Sequence, residues 1–254
     1  MLLSSLLRTI PISLEQGLAY GLVALGIVIT FRILAFPDLT VDGSFPLGAA
    51  VVARLIMEGV PPGYGILMAI ICGFLAGCCT GLLNTKLKIN SLLAGILMMT
   101  ILYSVNLRIM GRSNIQLLTV DTLLTPLENL DVNRFIPIIA FFFLVAVGIK
   151  LLTDMFLHTQ IGFAMRATGD NEQMIRTLGV NTDNMTVLGL GISNGFVALS
   201  GALVAQDQGF SDVGMGIGMI VAGLASIIIG EALFGKKTVQ RMTLAAIVGS
   251  IIYK

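Results

Sequence analysis

Long runs of apolar residues recur along the chain, with polar stretches between them. A helix needs about 20 mostly apolar residues to cross the hydrocarbon core of a bilayer. Such runs occupy residues 17–36, 64–83, 91–107, 135–152, 185–205 and 213–230. Another begins at Met242, and because the chain ends within it we expect a truncated helix there. The pattern predicts an all-α, polytopic transmembrane helical bundle that forms a single domain over residues 1–254.

The composition supports this prediction. Hydrophobic residues make up 56% of the chain and charged residues only 11%, whereas soluble domains average about 25% charged residues. The 29 glycines suit helices that pack closely within a membrane. The net charge of +1 gives no indication of nucleic-acid binding. We therefore expect a multi-pass protein in contact with membrane lipid.

The segment 37–62 differs in kind from the clear spans. Its apolar part, residues 45–57, is short, and a stretch rich in Pro, Asp and Gly precedes it. Non-helical backbone at membrane depth persists only where protein or a water-filled cavity satisfies its polar groups. The segment therefore predicts a broken or re-entrant helix beside a pathway, although a plain external loop has the same composition.

Basic residues indicate the orientation, because cytoplasmic loops carry an excess of Lys and Arg. They lie in a loop after residue 83, in the connection 153–184 and in a loop after residue 235. We place these three connections in the cytoplasm and the loop with Asp207 and Asp212 outside. If 37–62 is re-entrant, the N-terminus is cytoplasmic, and if it spans, the N-terminus is outside. We prefer the first arrangement.

The connection 154–184 is long and patterned. Asp170 and Gln173 fit a helix N-cap with a capping box, and Gly179 fits the stop that follows a helix. Between them a short helix presents Met174, Ile175 and Leu178 on one face; these residues are apolar anchors for a partner's groove. A second short helix, 162–168, precedes it, and the two meet at Gly169. The pattern predicts a compact coupling helix in the cytoplasm, with an inert turn as the alternative.

Eleven residues of this connection resemble the cytoplasmic coupling loop of ABC-importer permeases of the branched-chain amino acid and ribose type. They are Gly162, Ala164, Arg166, Ala167, Thr168, Gly169, Asp170, Asn171, Gly179, Val180 and Asn181. Residues 38–44 with 47–49 are similar to a segment of sugar permeases in this group, and residues 223–230 with 233–235 look like its penultimate span. The chain looks most like the subgroup associated with uptake of tryptophan or other aromatic amino acids.

The resemblance implies a permease subunit of an ATP-driven importer in the bacterial cytoplasmic (inner) membrane. A second permease copy, in a homodimer, and a cytoplasmic ATPase that binds ATP and Mg would be its partners, with an external solute-binding lipoprotein delivering the substrate. The ATPase-coupling residues would be Gly162, Arg166, Ala167, Thr168, Gly169, Asp170, Asn171, Met174, Ile175, Leu178 and Gly179. The chain itself has no phosphate-binding G-x-x-x-x-G-K-[ST] loop, so we expect no enzymatic activity and no cofactor in it.

Polar residues in the broken segment are the candidates for the pathway. Intramembrane charge favours a functional role, although Asp38 and Asp42 also suit helix capping. The candidate pathway residues are Asp38, Thr40, Asp42, Gly43, Ser44 and Gln206. For Gln206, at the end of a span, we favour solvation, and for Glu231 a place at the membrane surface.

Other functions make different demands on the sequence. An ion-coupled secondary transporter needs ionisable groups deep in its spans and paired broken helices, and we find a single broken segment. An enzyme needs an acid, base or metal constellation, which one histidine and three clustered cysteines do not supply, so we expect neither a catalytic nor a metal site. The best prediction is import of a hydrophobic or aromatic amino acid; a sugar or nucleoside is the alternative substrate.

Overall fold

A computed structural model describes residues 2–128 and 135–254. The elements follow in this order: α1 (Leu2–Ile27), a π-helical turn (Val28–Ile33), α2 (Val41–Met57), α3 (Pro62–Thr85), α4 (Ser91–Met110), β1 (Asn114–Gln116), α5 (Thr125–Glu128), α6 (Phe135–Leu157), α7 (Gln160–Asp170), α8 (Glu172–Thr177), α9 (Thr182–Gln208), β2 (Phe210–Asp212), α10 (Met219–Phe234) and α11 (Val239–Tyr253). Five helical segments are long and apolar enough to cross a membrane, namely Ile10–Ile33, Pro62–Thr85, Ser91–Met110, Phe135–Leu157 and Thr182–Gln208. The predicted all-α membrane bundle is confirmed.

Helix α9 lies at the centre of the bundle, and small residues let its neighbours approach closely. A Cβ atom added to Gly77 of α3 would lie 2.1 Å from the carbonyl oxygen of Leu190, and one added to Gly48 of α2 would lie 1.9 Å from that of Ala198. Such distances leave no room for a side chain. Glycine at these positions therefore determines how closely α2 and α3 pack on α9.

Side-chain hydrogen bonds define the two ends of the bundle. Ser193 of α9 donates to the carbonyl oxygen of Gly26, 2.8 Å away, and Ser200 donates to that of Ala19, 2.7 Å away. Helix α1 is therefore antiparallel to α9. We call the end that contains α7, α8 and the start of α9 the coupling end, and the end that contains the antiparallel pair β1 and β2 the strand end. The first turns of α1 lie toward the strand end.

The segment 37–62 is broken as expected, but it does not return to the end from which it came. The chain leaves α1 at the coupling end, where the backbone of Ile33 packs on Gly169 of α7. It then passes through an irregular stretch and enters α2, whose 17 residues extend about 25 Å. Met57 lies beside Asn114 and Gln116 of β1, at the strand end.

Two expectations are corrected by this path. Helix α2 begins at Val41, ahead of the apolar stretch 45–57, so the polar residues Asp42 and Ser44 belong to a buried helix. Because α2 carries the chain to the strand end, the preference for an N-terminus on the same side as the coupling connection is wrong. The alternative, in which the segment crosses, fits the structure.

Candidate functional site

A buried polar network joins the irregular stretch and α2 to α3 and α9. Asp38 accepts a hydrogen bond from Nδ2 of Asn194 (2.7 Å) and another from the backbone N–H of Thr40 (2.9 Å). Ser44 donates to Oδ1 of Asn194 over 2.6 Å, and the hydroxyls of Thr40 and Thr80 lie 2.8 Å apart. All five side chains are 2% exposed or less. Three of the predicted pathway residues, Asp38, Thr40 and Ser44, therefore meet in a closed network.

The predicted pathway residue Asp42 caps another helix. Its Oδ2 accepts from the backbone N–H of Gly218 over 3.1 Å, and its Oδ1 accepts from that of Ile220 over 2.9 Å. These N–H groups belong to the first turn of α10, where unsatisfied donors and the helix dipole favour a carboxylate. The capping role considered from the sequence is present, but the capped helix is α10 rather than the helix that contains Asp42.

A cavity of about 290 Å³ lies between α2, α4 and the loop before α10. Two of the candidate pathway residues, Asp42 and Gly43, line it. The rest of its lining includes Pro46, Met99, Tyr103, Asn106, Val213 and Ile217. Sequence reasoning missed Met99, Tyr103 and Ile217, because their polarity does not distinguish them from lipid-facing residues.

Asn106 is the buried polar residue of this cavity. Its side chain is 0% exposed. Its Nδ2 donates to the carbonyl oxygen of Gly43 over 3.2 Å, which joins α4 to α2. Its Oδ1 is buried and has no hydrogen-bond partner among the described residues. A buried acceptor without a partner is uncommon in native proteins.

Gln206 lies apart from both the network and the cavity. It is 4% exposed, which corrects the expectation that solvent surrounds it. Its Oε1 accepts from the backbone N–H of Leu123 over 2.9 Å, and its Nε2 donates to the carbonyl oxygen of Ala202 over 3.2 Å. Gln206 therefore fixes the loop ahead of α5 on α9.

A larger, polar cavity of about 460 Å³ lies at the coupling end. Its lining includes the irregular residues Leu34 and Phe36 together with Thr85, Thr168 and Arg176. Leu34 and Phe36 precede the network residues Asp38 and Thr40 in the sequence and line this cavity. Asp42 and Gly43 follow the network residues and line the cavity of Asn106. The short stretch 34–43 thus contributes to both cavities.

The coupling segment, residues 160–178, is two helices with a sharp corner. Asn171 is the N-cap of α8, and its Oδ1 accepts from the backbone N–H of Met174 over 3.0 Å. Asp170 was expected in that role, but α7 continues through it, which shifts the cap by one residue and removes the capping box. Gly179 has φ of 84°, as expected for a helix stop.

Helix α7 of the coupling segment packs closely against the π-helical turn and the end of α6. A Cβ on Gly169 would lie 1.8 Å from the carbonyl oxygen of Ile33, and one on Gly162 would lie 2.3 Å from that of Phe156. Thr168 is also largely buried and donates to the carbonyl oxygen of Ala164, 2.7 Å away. The close approach of α7 to the π-helical turn therefore requires small residues.

Arg176 ties α8 to the start of α9. Its guanidinium donates to Glu172 over 2.7 Å, to Asp183 over 2.8 Å and to the hydroxyl of Thr182 over 2.7 Å. Because this arginine holds three acceptors on two elements, α8 cannot move without pulling on α9.

The apolar face predicted for α8 is divided. Ile175 is 7% exposed and packs inward, whereas Met174 and Leu178 are 57% and 67% exposed. On α7, which the sequence analysis did not single out for apolar contacts, Ile161 and Phe163 are also exposed, and Arg166 lies 5.5 Å from the centre of the Phe163 ring. The coupling segment thus presents an apolar surface, which we define as Ile161, Phe163, Met174 and Leu178.

An ion pair joins α10 to the π-helical turn near the coupling segment. Arg32 donates to Glu231, which corrects the expectation that Glu231 is a surface residue of the membrane boundary. The π-helical turn also borders a small cavity, which is lined as well by Arg166 and Asp170 of α7 and by Lys236 of the loop after α10. Helix α10 therefore connects Asp42, beside the cavity of Asn106, with Arg32, beside α7.

Residues 10–254 match the family described as branched-chain amino acid transport system / permease component. The chain belongs to this family. The permease is 49% identical over 241 residues to the tyrosine transport system permease protein of Clostridioides difficile, a match that covers 95% of this chain and 79% of that protein. It is also 42% identical over 222 residues to an uncharacterized protein of Rickettsia prowazekii, covering 87% of this chain and 76% of that protein.

A more distant relative of the permease is the autoinducer 2 import system permease protein LsrC of Salmonella paratyphi B. The two are 26% identical over 193 residues, which cover 76% of this chain and 54% of that protein. No solved structure matches the permease significantly. The predicted family is confirmed, and the relatives named for a function are transport permeases. Among the described residues, no group of three His, Cys, Asp or Glu side chains is arranged to hold a metal ion.

Proposed function

We propose that the permease is the membrane-spanning subunit of an ATP-driven importer for an aromatic or hydrophobic amino acid in the bacterial inner membrane. The carrying observation is the exposed apolar surface of the coupling segment. Met174 and Leu178 are more than half exposed on a short helix, although that helix is fixed to the bundle. Apolar residues displayed on a rigid platform outside the spans are typical of a protein interface.

The partner that best suits this surface is a cytoplasmic ATPase subunit, which would bind ATP and Mg. Its closure would push on α7 and α8, and Gly169 and Arg176 would pass the movement to the π-helical turn and to α9. ATP can bias the permease only if the ATPase contacts this segment differently in its two states. A second permease copy and an external solute-binding lipoprotein complete the proposed assembly.

The buried network would act as the barrier that closes the pathway. It lies between the parts of the stretch 34–43 that line the cavity of Asn106 and the cavity at the coupling end. Opening it would replace hydrogen bonds of Asp38 and Thr40 with contacts to water or solute. Asp38, Thr40 and Ser44 would then form the barrier in the closed state.

The amino acid substrate is supported by the relative from Clostridioides difficile, which is named for tyrosine transport. An identity of 49% over nearly the whole chain favours a related solute. A sugar or nucleoside has weaker support, since the relative at 49% identity is named for tyrosine transport and the one at 42% identity is not named for any solute.

One observation favours ion coupling as a second candidate. Asp38 is a buried carboxylate in the middle of the bundle, and its hydrogen-bond partners among the described residues are the neutral amide of Asn194 and the backbone N–H of Thr40. Intramembrane carboxylates of this kind often carry protons or cations. In an ion-coupled transporter, uptake would stop when the ion gradient is dissipated and would persist without nucleotide hydrolysis. An ATP-driven importer would behave in the opposite way.

The direct test of the proposed ATPase contact is co-purification of the permease with the ATPase subunit encoded beside it. Met174→Asp and Leu178→Asp should abolish co-purification, because each places a charge within an apolar contact. Gln173→Asp is the matched control, since it adds the same charge to an exposed position of the same helix and should retain the ATPase. Retention of the ATPase by both apolar variants would overturn the proposal.

A further inference from the structure

The cavity beside Asn106 has the construction of a binding site. Its volume of about 290 Å³ is close to the lower end of the range for small-molecule sites. Its walls are largely apolar, with Pro46, Met99 and Val213 inside and Tyr103 and Ile217 at the exposed rim. Sites of this kind combine apolar walls with a few placed polar groups that orient the ligand.

The polar groups of the cavity differ in whether they have an acceptor free for a hydrogen bond to a ligand. Both carboxylate oxygens of Asp42 already accept backbone hydrogen bonds from α10. Asn106 uses its Nδ2 on Gly43, while its Oδ1 is buried without a partner among the described residues. A ligand that supplies an N–H donor to this oxygen would remove an uncompensated desolvation cost.

The carboxylate of Asp42 determines which charge is favourable on a ligand group that lies beside it. Asp42 is the charged side chain among the described lining residues, and both of its oxygens accept backbone N–H groups, as expected of a carboxylate at a helix N-terminus. An ammonium group is favoured beside Asp42 and Asn106, whereas a carboxylate at that position is disfavoured. The apolar walls suit an aliphatic or aromatic group at the other end of the ligand.

We propose that this cavity binds the transported amino acid, with its ammonium group at Oδ1 of Asn106 and its aromatic or aliphatic side chain between Met99, Tyr103 and Ile217. The inference rests on the proposed function, since it treats the cavity as part of the solute's route. It adds a specific acceptor and an orientation for the solute. The cavity lies about four turns along α4 from Ser91 at the coupling end, about 22 Å, which places it toward the strand end.

Protection of an engineered cysteine tests the site in the purified complex of permease and ATPase. In a variant whose Cys72, Cys78 and Cys79 are replaced by Ala, Ile217→Cys places a thiol at the rim of the cavity. L-Tyrosine and tyramine should slow its reaction with a maleimide, whereas 4-hydroxyphenylpropionate, which lacks the amine, should not. Leu118→Cys is the control that the ligands should not protect, because Leu118 is 79% exposed and does not line this cavity.

Variants at Asn106 test the acceptor itself. Asn106→Leu removes the acceptor at similar volume and should raise the half-protecting concentration of tyramine about tenfold or more. Asn106→Asp restores an acceptor and should retain protection. Ser104→Ala, at an exposed residue of the same helix that does not line the cavity, should change protection less than twofold and controls for general effects on α4.

The outcomes of these experiments separate failure of the proposed binding site from failure of the proposed function. Equal protection by the acid and the amine, or equal protection in Asn106→Leu and the parent, would overturn the inference. If Asn106→Leu fails to fold, protection by the amine and not by the acid at Ile217→Cys remains the test. If ATP-dependent tyrosine uptake occurs but no amine protects the rim cysteine, the inference fails and the proposed function stands. Absence of ATP-dependent uptake in the parent complex would instead defeat the proposed function.

Discussion

Asp42 of α2 accepts a hydrogen bond, 2.9 Å long, from the backbone N–H of Ile220 in α10, 178 residues further along the chain. The same carboxylate caps α10 through Gly218. Because the other end of α10 holds Glu231, which pairs with Arg32, the helix is anchored beside the cavity at one end and beside α7 at the other. These two anchors give α10 a defined position in the closed bundle.

Loss of the cap should destabilise the permease. Asp42→Ala leaves two backbone N–H groups of α10 without acceptors and should lower the free energy of unfolding by about 1–2 kcal/mol. A lower melting temperature in detergent is the expected measurement. Asp121→Ala, at an exposed acidic residue in the same half of the structure, should melt like the parent. Equal melting temperatures for all three proteins would contradict the capping role.

The ion pair between Arg32 and Glu231 should show energetic coupling. The side chains are 31% and 11% exposed, so replacing either by Met leaves its partner partly buried and unpaired, at a cost of about 1–3 kcal/mol. The double variant Arg32→Met/Glu231→Met should recover most of the loss, because it leaves no unpaired charge. Thermal unfolding of the parent, both single variants and the double variant measures this coupling.

The half-exposed pair Arg54 and Glu58 provides the comparison. Its charged atoms lie 2.7 Å apart at i, i+4 spacing. Breaking such a surface pair should cost less than about 1 kcal/mol. Additive losses at Arg32 and Glu231, with no recovery in the double variant, would show that the two residues do not stabilise each other.

Close helix packing makes particular glycines intolerant of a methyl group. Gly48→Ala should lower the free energy of unfolding by about 1–3 kcal/mol, because its Cβ would lie 1.9 Å from the carbonyl oxygen of Ala198. Gly148→Ala in α6 meets nothing within 4 Å and should be neutral or slightly stabilising. Melting temperatures of the two variants test this contrast, and a stable Gly48→Ala protein would mean that α2 and α9 are further apart.

Much of the fold follows from the hydrophobic pattern, since residues that face lipid must be apolar whatever they neighbour. The spans beginning near residues 64, 91, 135 and 185 correspond to α3, α4, α6 and α9. The start of α2 could not be predicted in this way. Gly43 and Ser44 are buried there and Asp42 is partly buried, because α4, α9 and α10 satisfy their polar groups, and those contacts arise only in the folded bundle.

The candidate sites were predictable to different degrees. The coupling segment is local in sequence, so its short helix, the stop at Gly179 and the apolar residues Met174 and Leu178 could be predicted, with an error of one residue at the cap. The cavity combines α2, α4 and the loop before α10, and its acceptor Asn106 resembles any polar residue that bridges helices. Only the folded structure shows that Oδ1 of this amide has no hydrogen-bond partner among the described residues.

The two ends of the bundle should lie on opposite sides of the membrane. In the variant lacking the native cysteines, Leu178→Cys at the coupling end and Leu118→Cys at the strand end are both strongly exposed positions. In intact cells, an impermeant maleimide should label the cysteine at 118 and should reach the one at 178 only after the membrane is opened. Labelling of the cysteine at 178 alone in intact cells would mean the opposite orientation. Labelling of both cysteines would contradict the placement of the two ends on opposite sides.

The most direct test of the account is uptake of radiolabelled L-tyrosine by vesicles that contain the permease, its ATPase subunit and the solute-binding lipoprotein. The vesicles should accumulate tyrosine when ATP is available to the ATPase, with no dependence on an ion gradient, and Leu178→Asp should reduce accumulation to the level seen without ATP. Accumulation that proceeds without ATP hydrolysis and stops when an ionophore is added would contradict the account and favour ion coupling at Asp38.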